Sequence, residues 1–366
     1  MSEWSVNSSA FRLPVFCLLP SVSCLLSFAS FLANYYLARM LPPSFEDIVA
    51  ARKFISPYLP RTPLVRVAGI SEELGCDYYA KLENLQPVGA FKVRGGVNLV
   101  GNEFSTGSVS DRVTLITAST GNHGQSIAYA GRLFGTRVII YAPTQNVNES
   151  KMQAMRDLGA EVRLHGRDFD EARLECERVA HKEGFRYVHS ANEPKLVAGV
   201  GTIGLEIFED LQDIDVIIAP AGGGSCASGN CIVAKKMNPR VRVIAVQSEA
   251  APAMWHAWRN RTLDPYPTMK TEHEGLATRV PFELTNQILW ELLDDFILVT
   301  DEEINEAIRL LARHAKQVTE GAGAASLAAA IKLRKSLRGK KVVGIVTGGN
   351  IPPDRFAKLT TNGTPQ

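Results

Sequence analysis

Short runs of aliphatic and β-branched residues recur along this chain, and segments with helical spacing of their apolar residues separate them. Runs of this length predict buried strands, and a helix between two strands is the usual connection of a parallel pair. The pattern therefore predicts an α/β fold of parallel strand–helix units. It begins at Ser44, where a capping-box pattern with Asp47 precedes an apolar helical face.

The predicted strands fall into two sets, which indicate two domains. The first set predicts a small domain at 114–191, inserted into a large domain formed by 40–113 and 192–366. We expect strands at 113–119, 137–143, 160–166 and 186–191, and then at 215–221, 240–248 and 341–347. We expect helices at 122–134, 149–158, 168–183, 199–212, 301–316 and 322–338, and one that begins near residue 227.

The first 39 residues differ from the rest of the chain. Residues 13–38 contain no charge, and the stretch is long enough to resemble a membrane span or a signal peptide. Pro14 and Pro20 interrupt it, and no lysine precedes it. We predict an extension that is disordered or an artefact of gene prediction, with targeting as the second interpretation. A membrane is therefore not an expected partner.

Composition narrows the classes of function. The 366 residues contain 40 basic and 38 acidic side chains, so the net charge is only +2 and nucleic acid is not an expected partner. The cysteines have the spacing of neither a disulfide framework nor a zinc site, which predicts free thiols in a reducing, cytoplasmic compartment. These cysteines are Cys17, Cys24, Cys76, Cys176, Cys226 and Cys231.

Four polar or glycine-rich stretches lie where a predicted strand or loop leads into a helix, the edge at which open parallel sheets bind ligands. The first stretch predicts a carboxylate site, because backbone amides at a helix N-terminus bind anions and its Ser119, Thr120 and Asn122 add donors. Alone, it is equally typical of an ordinary helix cap. The stretches are STGNHGQ at 119–125, PAGGGSCASG at 220–229, EGAGAAS at 320–326 and TGGN at 347–350.

The three consecutive glycines of the second stretch favour a phosphate site. Without Cβ atoms, successive N–H groups can converge on an anion, and Ser225 adds a hydroxyl. The same stretch has the spacing of a dinucleotide fingerprint, with Glu249 near the end of the next strand. A nicotinamide-dependent oxidoreductase is therefore an alternative, although Glu249 comes late for that motif.

Lys92 lies in the stretch GAFKVRGG, between apolar residues and glycines. Phe91 and Val93 are expected to remove its amine partly from water, which lowers the pKa of a lysine. A neutral amine can attack an aldehyde to form a Schiff base. Together with a phosphate site, such a lysine predicts pyridoxal phosphate as the cofactor, whereas a nicotinamide cofactor gives Lys92 no role.

In their order and spacing, these motifs resemble the fold-type II pyridoxal-phosphate enzymes, in particular the threonine and serine dehydratases and serine racemase. The likeness runs from about Ser44 to Asn350. It implies a tryptophan synthase β-like fold, with two open, twisted, mostly parallel sheets, flanking helices and a small domain inserted in a large one. It also implies a homo-oligomer, either a dimer or a tetramer.

The resemblance implies roles for individual residues. Lys92 would form the Schiff base and act as the general base, and Thr120, which stands where racemases keep a serine, would be the second catalytic residue. The implied cofactor-binding residues are Phe91, Lys92, Asn122, Gly222, Gly223, Gly224, Ser225, Cys226, Gly275, Glu320 and Thr347. The implied substrate-binding residues are Ser119, Thr120, Gly121, Asn122 and His123.

Two further positions shape the expected chemistry. Thr347 would face the pyridine nitrogen, and a neutral hydroxyl there makes the ring a weaker electron sink than an aspartate would, which favours prompt loss of a β-substituent. Gln247, Ala251 and Ala253 match the divalent-cation site of serine racemase-like members, and the alanines supply no carboxylate. No metal is therefore expected.

The implied activity is that of a carbon–oxygen lyase, which eliminates water from L-threonine or L-serine to give a 2-oxo acid and ammonia. Dehydration of hydroxyaspartate or phenylserine and racemisation of serine share every motif and stay open. A catalytically silent binding or membrane-tethered protein is an alternative of a different class. The chain ends soon after Asn350, so no regulatory domain is expected there.

Overall fold

The computed structural model describes residues 41–104, 113–145 and 148–361. The predicted extension at residues 1–39, with its targeting alternative, lies outside the described residues. Within them, no helix has the length and the apolar character that a membrane crossing requires. The strands of the described segments form two sheets.

The larger sheet has six strands in the order β1-β2-β10-β7-β8-β9. Its first pair is antiparallel and the other pairs are parallel. Every residue of β7 is buried, as expected for a parallel strand that is covered on both faces. The six strands are β1 (Leu64–Arg66), β2 (Asp77–Leu82), β7 (Val216–Pro220), β8 (Arg242–Ser248), β9 (Asp295–Val299) and β10 (Lys341–Val346).

The smaller sheet has four parallel strands in the order β5-β4-β3-β6. All residues of β3 and β4 are buried, whereas the edge strand β5 is partly exposed. The four strands are β3 (Leu115–Ala118), β4 (Val138–Ala142), β5 (Glu161–Leu164) and β6 (Arg186–Tyr187).

Helices flank both sheets. The first one is capped as its sequence predicts, because the Ser44 hydroxyl accepts a hydrogen bond from the Asp47 amide at 3.1 Å. The helices are α1 (Phe45–Ile55), α2 (Ala68–Leu74), α3 (Lys92–Phe104), α4 (Asn122–Phe134), α5 (Glu149–Asp157), α6 (Phe169–Glu183), α7 (Pro194–Asp210), α8 (Ser225–Met237), α9 (Ala253–Asn260), α10 (Glu283–Leu292), α11 (Asp301–Leu310), α12 (Gly321–Lys332), α13 (Arg334–Leu337) and α14 (Pro353–Thr361).

The predicted fold class is confirmed, since both sheets are mostly parallel and carry flanking helices. Some predicted element bounds were wrong. The α7 helix begins at Pro194 rather than at residue 199, because proline is well suited to the first helical turn. The α11 helix ends at Leu310 and continues as a single π-helical turn, Leu311–Ala315, and β6 is only two residues long. The domain boundaries stay a prediction.

The carboxyl ends of three strands lead directly into predicted motifs. β3 ends at Ala118, next to Ser119, and β7 ends at Pro220, two residues before Gly222. β10 ends at Val346, next to Thr347. β7 and β10 belong to the larger sheet and β3 to the smaller one, so each sheet presents polar loops at the carboxyl ends of its strands, where such sheets bind ligands.

Candidate active site

Lys92 is the first residue of α3, and a loop from another strand holds the residues before it. The Phe91 amide donates to the Thr347 carbonyl at 3.0 Å, and Ala90 forms an antiparallel bridge with Gly348. The loop that follows β10 therefore fixes the point at which α3 begins. This contact brings the stretches GAFKVRGG and TGGN together.

The Lys92 amine is partly buried and faces neutral partners. Its Nζ donates to the Ser225 hydroxyl at 3.2 Å and to the Ser190 carbonyl at 3.3 Å, and it lies 5.4 Å from the centre of the Phe91 ring. Burial lowers the pKa of Lys92 to about 8. The ion pairs that the structure describes do not include this residue, so no described carboxylate offsets the cost of burying its charge. The amine is therefore suited to nucleophilic and base chemistry near neutral pH.

The triple glycine forms a turn that side chains would fill. Gly224 has a φ of 85°, and a Cβ on it would lie 2.9 Å from the Met254 methyl group. A Cβ on Gly222 would clash with the Gly275 carbonyl oxygen. Thr278 and Thr285 donate from their hydroxyls to the carbonyls of Gly222 and Gly223, each at 2.9 Å. Only glycines at these positions can form this turn before α8.

The turn leads into the N-terminus of α8, where backbone amides and the helix dipole favour an anion. Ser225 is the first residue of this helix, and its hydroxyl accepts a hydrogen bond from Lys92. Cys226 follows it, and burial raises the pKa of its thiol, so that the sulfur stays protonated. The arrangement is thus a neutral cradle for an anion, with the Lys92 amine beside it.

The loop after β3 is shaped by its own serine. The Ser119 hydroxyl oxygen accepts hydrogen bonds from the amides of Gly121 at 3.2 Å and Gly124 at 2.9 Å. This turn leads into α4 at Asn122 and places further amides at a helix N-terminus. Thr120 is partly exposed in the same turn. Its predicted catalytic role stays a prediction.

His123 is buried and uncharged. Burial, with a smaller contribution from Lys92, lowers the pKa of the imidazole to about 3. The Thr117 hydroxyl donates to the Val188 carbonyl at 2.7 Å and lies 2.9 Å from His123 Nε2. Since that hydroxyl has only one proton, we infer that His123 Nε2 is the donor and Nδ1 the unprotonated nitrogen. His123 can therefore orient the loop but brings no positive charge to it.

The side chain of Asn122 connects three of the predicted motifs. Its amide nitrogen donates to Glu320 Oε1, and its oxygen accepts from Asn350 at 2.8 Å. Asn350 also donates to the Val88 carbonyl at 2.9 Å, and the Glu320 amide donates to the Gly348 carbonyl at 3.1 Å. The loops that carry Lys92, Asn122, Glu320 and Thr347 are thus joined by direct hydrogen bonds.

Gly275 and Thr347 lie in the same region. The Gly275 carbonyl faces Gly222, and a Cβ on Gly275 would lie 3.9 Å from Glu320 Oε1. Thr347 is buried, with 2% of its surface exposed. The structure thus brings the predicted site residues to one region, although their individual roles stay predictions.

Sequence reasoning missed two residues of this region. The Ser190 carbonyl accepts from Lys92, and a backbone acceptor leaves no side-chain signal to find. Lys151 Nζ lies 2.9 Å from Glu274 Oε2 and 3.5 Å from Glu320 Oε2. Lys151 did carry a signal, because it lies in the first turn of a predicted helix, where the dipole disfavours a cation.

Comparison with known proteins decides which cofactor this region serves. Residues 55–348 match the sequence model of the family described as pyridoxal-phosphate dependent enzyme. The chain belongs to this family. The resemblance stated above and the predicted cofactor, pyridoxal phosphate, are therefore confirmed. Between the two cofactors left open by the glycine pattern, family membership selects pyridoxal phosphate.

Several known proteins are similar to this chain over most of its length. An L-threonine ammonia-lyase of Thermotoga maritima is 38% identical over 320 residues, which are 87% of this chain and 79% of that protein. The solved structure of threonine deaminase isoform 2 from Solanum lycopersicum has a TM-score of 0.81 and 29% identity and covers 88% of this chain and 90% of its own. Maize serine racemase has a TM-score of 0.81 and 28% identity, with 88% and 98% covered.

The residues present fit pyridoxal phosphate. The glycine turn that a Cβ would fill, followed by the N-terminus of α8, offers an anion site for the phosphate, and the partly buried Lys92 amine lies next to it. The Gln247 side chain forms hydrogen bonds within the protein: its oxygen accepts from the Trp255 amide, and its nitrogen donates to the Leu276 carbonyl. The described residues contain no group of three or more His, Cys, Asp or Glu side chains placed to hold a metal ion.

Proposed function

We propose that this chain catalyses the pyridoxal-phosphate-dependent elimination of water from L-threonine or L-serine, which releases a 2-oxo acid and ammonia. The observation that carries the proposal is the Lys92 amine, which has a lowered pKa and lies beside a glycine cradle in a chain of this family. The likeness to an L-threonine ammonia-lyase, over 87% of this chain, supports a lyase that acts on threonine.

Each loop contributes one function to the proposed reaction. Pyridoxal phosphate held at this site would withdraw electrons from the substrate's Cα while the Lys92 amine is free, and so would allow the β-hydroxyl to leave. Lys92 takes the Cα proton at its Nζ, for which a pKa of about 8 is well matched to neutral pH. The amides of the loop from Ser119 to His123 hold the substrate carboxylate. The turn from Gly222 to Cys226 holds the phosphate.

The remaining proposed roles are those that the resemblance implies. Phe91 borders the ring, since its own ring lies 5.4 Å from the Lys92 amine. Asn122 binds the phenolic oxygen of the cofactor, and Gly275 and Glu320 border the substrate end of the ring. Thr347 would face the pyridine nitrogen and would leave it uncharged, because a hydroxyl is a weaker base than a carboxylate. An uncharged ring favours elimination over reactions that need a long-lived carbanion.

Racemisation of serine is the second candidate. Thr120 could supply a hydroxyl proton donor on the face of the substrate opposite Lys92, and the TM-score of 0.81 to maize serine racemase supports this candidate. We further propose a cytoplasmic location, which fits the four buried free thiols of Cys76, Cys176, Cys226 and Cys231. The homo-oligomer implied by the resemblance is proposed without a defined interface.

The test is a substrate panel with the pyridoxal-phosphate-loaded chain. L-threonine, L-serine, hydroxyaspartate and phenylserine are each incubated with the enzyme, and 2-oxo acid and ammonia are measured, with chiral chromatography for D-serine. We expect stoichiometric 2-oxo acid and ammonia from L-threonine, L-serine or both. Turnover that requires added NAD(P), or none with any of the four, would refute the proposal.

A second measurement tests the lysine itself. Borohydride reduction of the loaded chain followed by peptide mapping should place the cofactor on Lys92. Lys81 is the internal comparison, because it is also buried but has a carboxylate partner at 2.7 Å. A trapped adduct on another lysine would refute the site while leaving the reaction intact.

A further inference from the structure

Lys151 lies at a position in its helix that is unfavourable for a lysine. It is in the first turn of α5, after the N-cap Asn148, and only 9% of its side chain is exposed. The dipole of a helix disfavours a cation at this end, and ordering a buried lysine side chain costs conformational entropy. A residue kept at such a position requires a favourable partner elsewhere.

The partner region is the loop proposed to hold the substrate carboxylate. The three atoms nearest to an ideal Cβ on Gly121 all belong to Lys151: Cδ at 3.5 Å, Nζ at 3.6 Å and Cε at 4.0 Å. One turn further along α5, the Met155 methyl would lie 2.7 Å from a Cβ on Gly124. The α5 helix therefore packs along this loop and places an ammonium group beside it.

The loop itself carries no positive charge. Its side chains are those of Ser119, Thr120, Asn122 and His123, and the imidazole is neutral. Lys151 is charged at neutral pH: burial alone would lower its pKa, but Glu320 and Glu274 more than offset this and raise it. The ammonium beside Gly121 is thus a counter-charge that the loop's own side chains do not provide.

The hydrogen bonds of the Lys151 ammonium leave N–H donors for another anion. The ammonium has three N–H donors. Glu274 takes one at 2.9 Å, whereas the Glu320 oxygen is 3.5 Å away, which is an ion pair rather than a short hydrogen bond. Glu320 also has a second partner, the side-chain amide of Asn122. If the Lys151 ammonium exchanged Glu320 for a substrate oxygen, Glu320 would therefore keep its hydrogen bond from Asn122.

We propose that Lys151 is a further substrate-binding residue, whose ammonium pairs with the α-carboxylate held by the loop from Ser119 to His123 while Glu274 keeps one of its N–H groups. This inference rests on the proposed function, because it places the substrate's carboxylate at that loop. It assigns Lys151 a contact with substrate and no part in proton transfer.

The competing explanation is a purely structural ion pair between α5 and the segment that carries Glu274. Two variants separate the explanations. Lys151→Gln and Glu274→Gln both break the pair, but only the first removes the positive charge beside Gly121. Lys151→Arg keeps the charge and tests for rescue. Lys235→Gln is the matched control, because Lys235 is half-buried, pairs with Asp294 at 2.6 Å and lies at the other end of α8 from the glycine turn.

The ligands are L-alanine and L-alaninamide, which differ in the carboxylate charge and have no β-hydroxyl to eliminate. Their binding to the pyridoxal-phosphate-loaded chain is followed by the visible spectrum and by calorimetry. We expect Lys151→Gln to weaken L-alanine binding by about tenfold or more and L-alaninamide by less than about twofold, in keeping with loss of a charged hydrogen bond. Glu274→Gln, Lys151→Arg and Lys235→Gln should retain the preference for L-alanine.

Three results would overturn the proposal. They are an equal loss for both ligands in Lys151→Gln, a loss of the preference in Glu274→Gln, and a wild type that does not prefer L-alanine over its amide. Because neither ligand has a β-hydroxyl, neither can undergo the proposed elimination, and the readout is independent of it. The two proposals can fail separately. If the wild type dehydrates no hydroxy amino acid but Lys151→Gln selectively weakens the binding of L-alanine, the proposed function is refuted and the substrate-binding role of Lys151 is supported.

Discussion

Two lysines only eleven positions apart lie in opposite electrostatic environments. Lys81, on β2, is fully buried and donates to Glu206 and to the Thr62 carbonyl, both at 2.7 Å. Lys92, at the start of α3, is partly buried and donates to a hydroxyl and a carbonyl. Within the described residues, the Lys81 ammonium has a carboxylate partner and the Lys92 amine has none. The difference separates a lysine that supports the fold from one that is free to react.

Lys81 belongs to a buried cluster of two cations and two carboxylates. Arg94 donates from Nε to Glu83 at 2.7 Å and from a terminal nitrogen to Glu206 at 2.9 Å. Burial alone would raise the pKa of Glu206, but Arg94 and Lys81 lower it to about 2. The formal charges of these four fully buried groups cancel, which is how a protein can bury them, and the partly exposed Arg52 also pairs with Glu206 at 3.2 Å. Because Arg94 is in the first turn of α3, the cluster also holds the helix that begins with Lys92.

Substitution of Lys92 should have the largest effect on activity. Lys92→Ala should lower the turnover of L-threonine by at least about a thousandfold, because it removes both the Schiff-base amine and the proposed general base. Its free energy of unfolding should not fall, since the lost ammonium had no carboxylate partner in the described structure. Release of 2-oxo acid and urea unfolding measure the two quantities. Wild-type ammonia release by this variant would contradict the assignment.

The paired lysine should show the opposite behaviour. Lys81→Met should lower the free energy of unfolding by about 3 kcal/mol or more, because Glu206 and Thr62 lose a buried partner. Urea unfolding at neutral pH measures this effect. Lys235→Met is the control, since its ion pair is partly exposed and should contribute about 1 kcal/mol or less. Equal stability of Lys81→Met and wild type would contradict the role of Lys81 in stabilising the fold.

The environment of Lys92 also predicts how the rate of its reaction with the cofactor depends on pH. As pH rises through about 8, Lys92 loses its proton and becomes nucleophilic, because burial has lowered its pKa from 10.5. The rate at which the cofactor-free chain combines with pyridoxal phosphate should therefore rise about tenfold per pH unit below 8 and level off above it. Stopped-flow absorbance measures this rate, with Nα-acetyl-lysine as the control for ionisation of the cofactor. A rate that continued to rise up to pH 10 would show an ordinary, solvated amine.

The smallest predicted effect concerns the cradle beside Lys92. Gly224→Ala places a side chain at a φ of 85° and against Met254, whereas Gly159→Ala has a similar φ of 88° in open space. Both should lose about 1–2 kcal/mol of stability from backbone strain. Only Gly224→Ala should weaken the binding of pyridoxal phosphate, by about tenfold. Fluorescence titration measures the affinity. Equal affinity of the two variants would show that crowding at Gly224 does not matter.

Local sequence predicted the elements that carry the site but not all of their bounds. The runs at 215–221 and 341–347 are strands, because a continuous aliphatic run suits a strand buried on both faces. The α3 helix was not predicted, since Gly95 and Gly96 lower helix propensity. A Cβ on Gly95 would lie 2.9 Å from the Leu196 carbonyl, and one on Gly96 would clash with Ser126. These glycines allow helices to pack closely, a requirement that only the tertiary structure shows.

The partners of the charged groups could not be predicted. Lys81 and Glu206 are 125 positions apart, and Arg94 and Glu206 are 112 apart. Phe91 and Val93 correctly indicated that Lys92 is shielded from water, but Ser225, one of the two groups that face its amine, comes 133 positions later. The partners of Lys151 were missed for the same reason, since Gly121 and Glu274 reach it only through folding.

The sequence by itself determined the α/β class and the polar loops at the strand ends, because each of these is a local pattern of residue types, and it predicted the cofactor that family membership confirmed. Only the tertiary structure decided which lysine is neutralised by a carboxylate, which is left to react and which lies beside the carboxylate loop. The physical reason is that Coulomb and desolvation energies depend on distance and burial in space. The order of residues along the chain fixes neither.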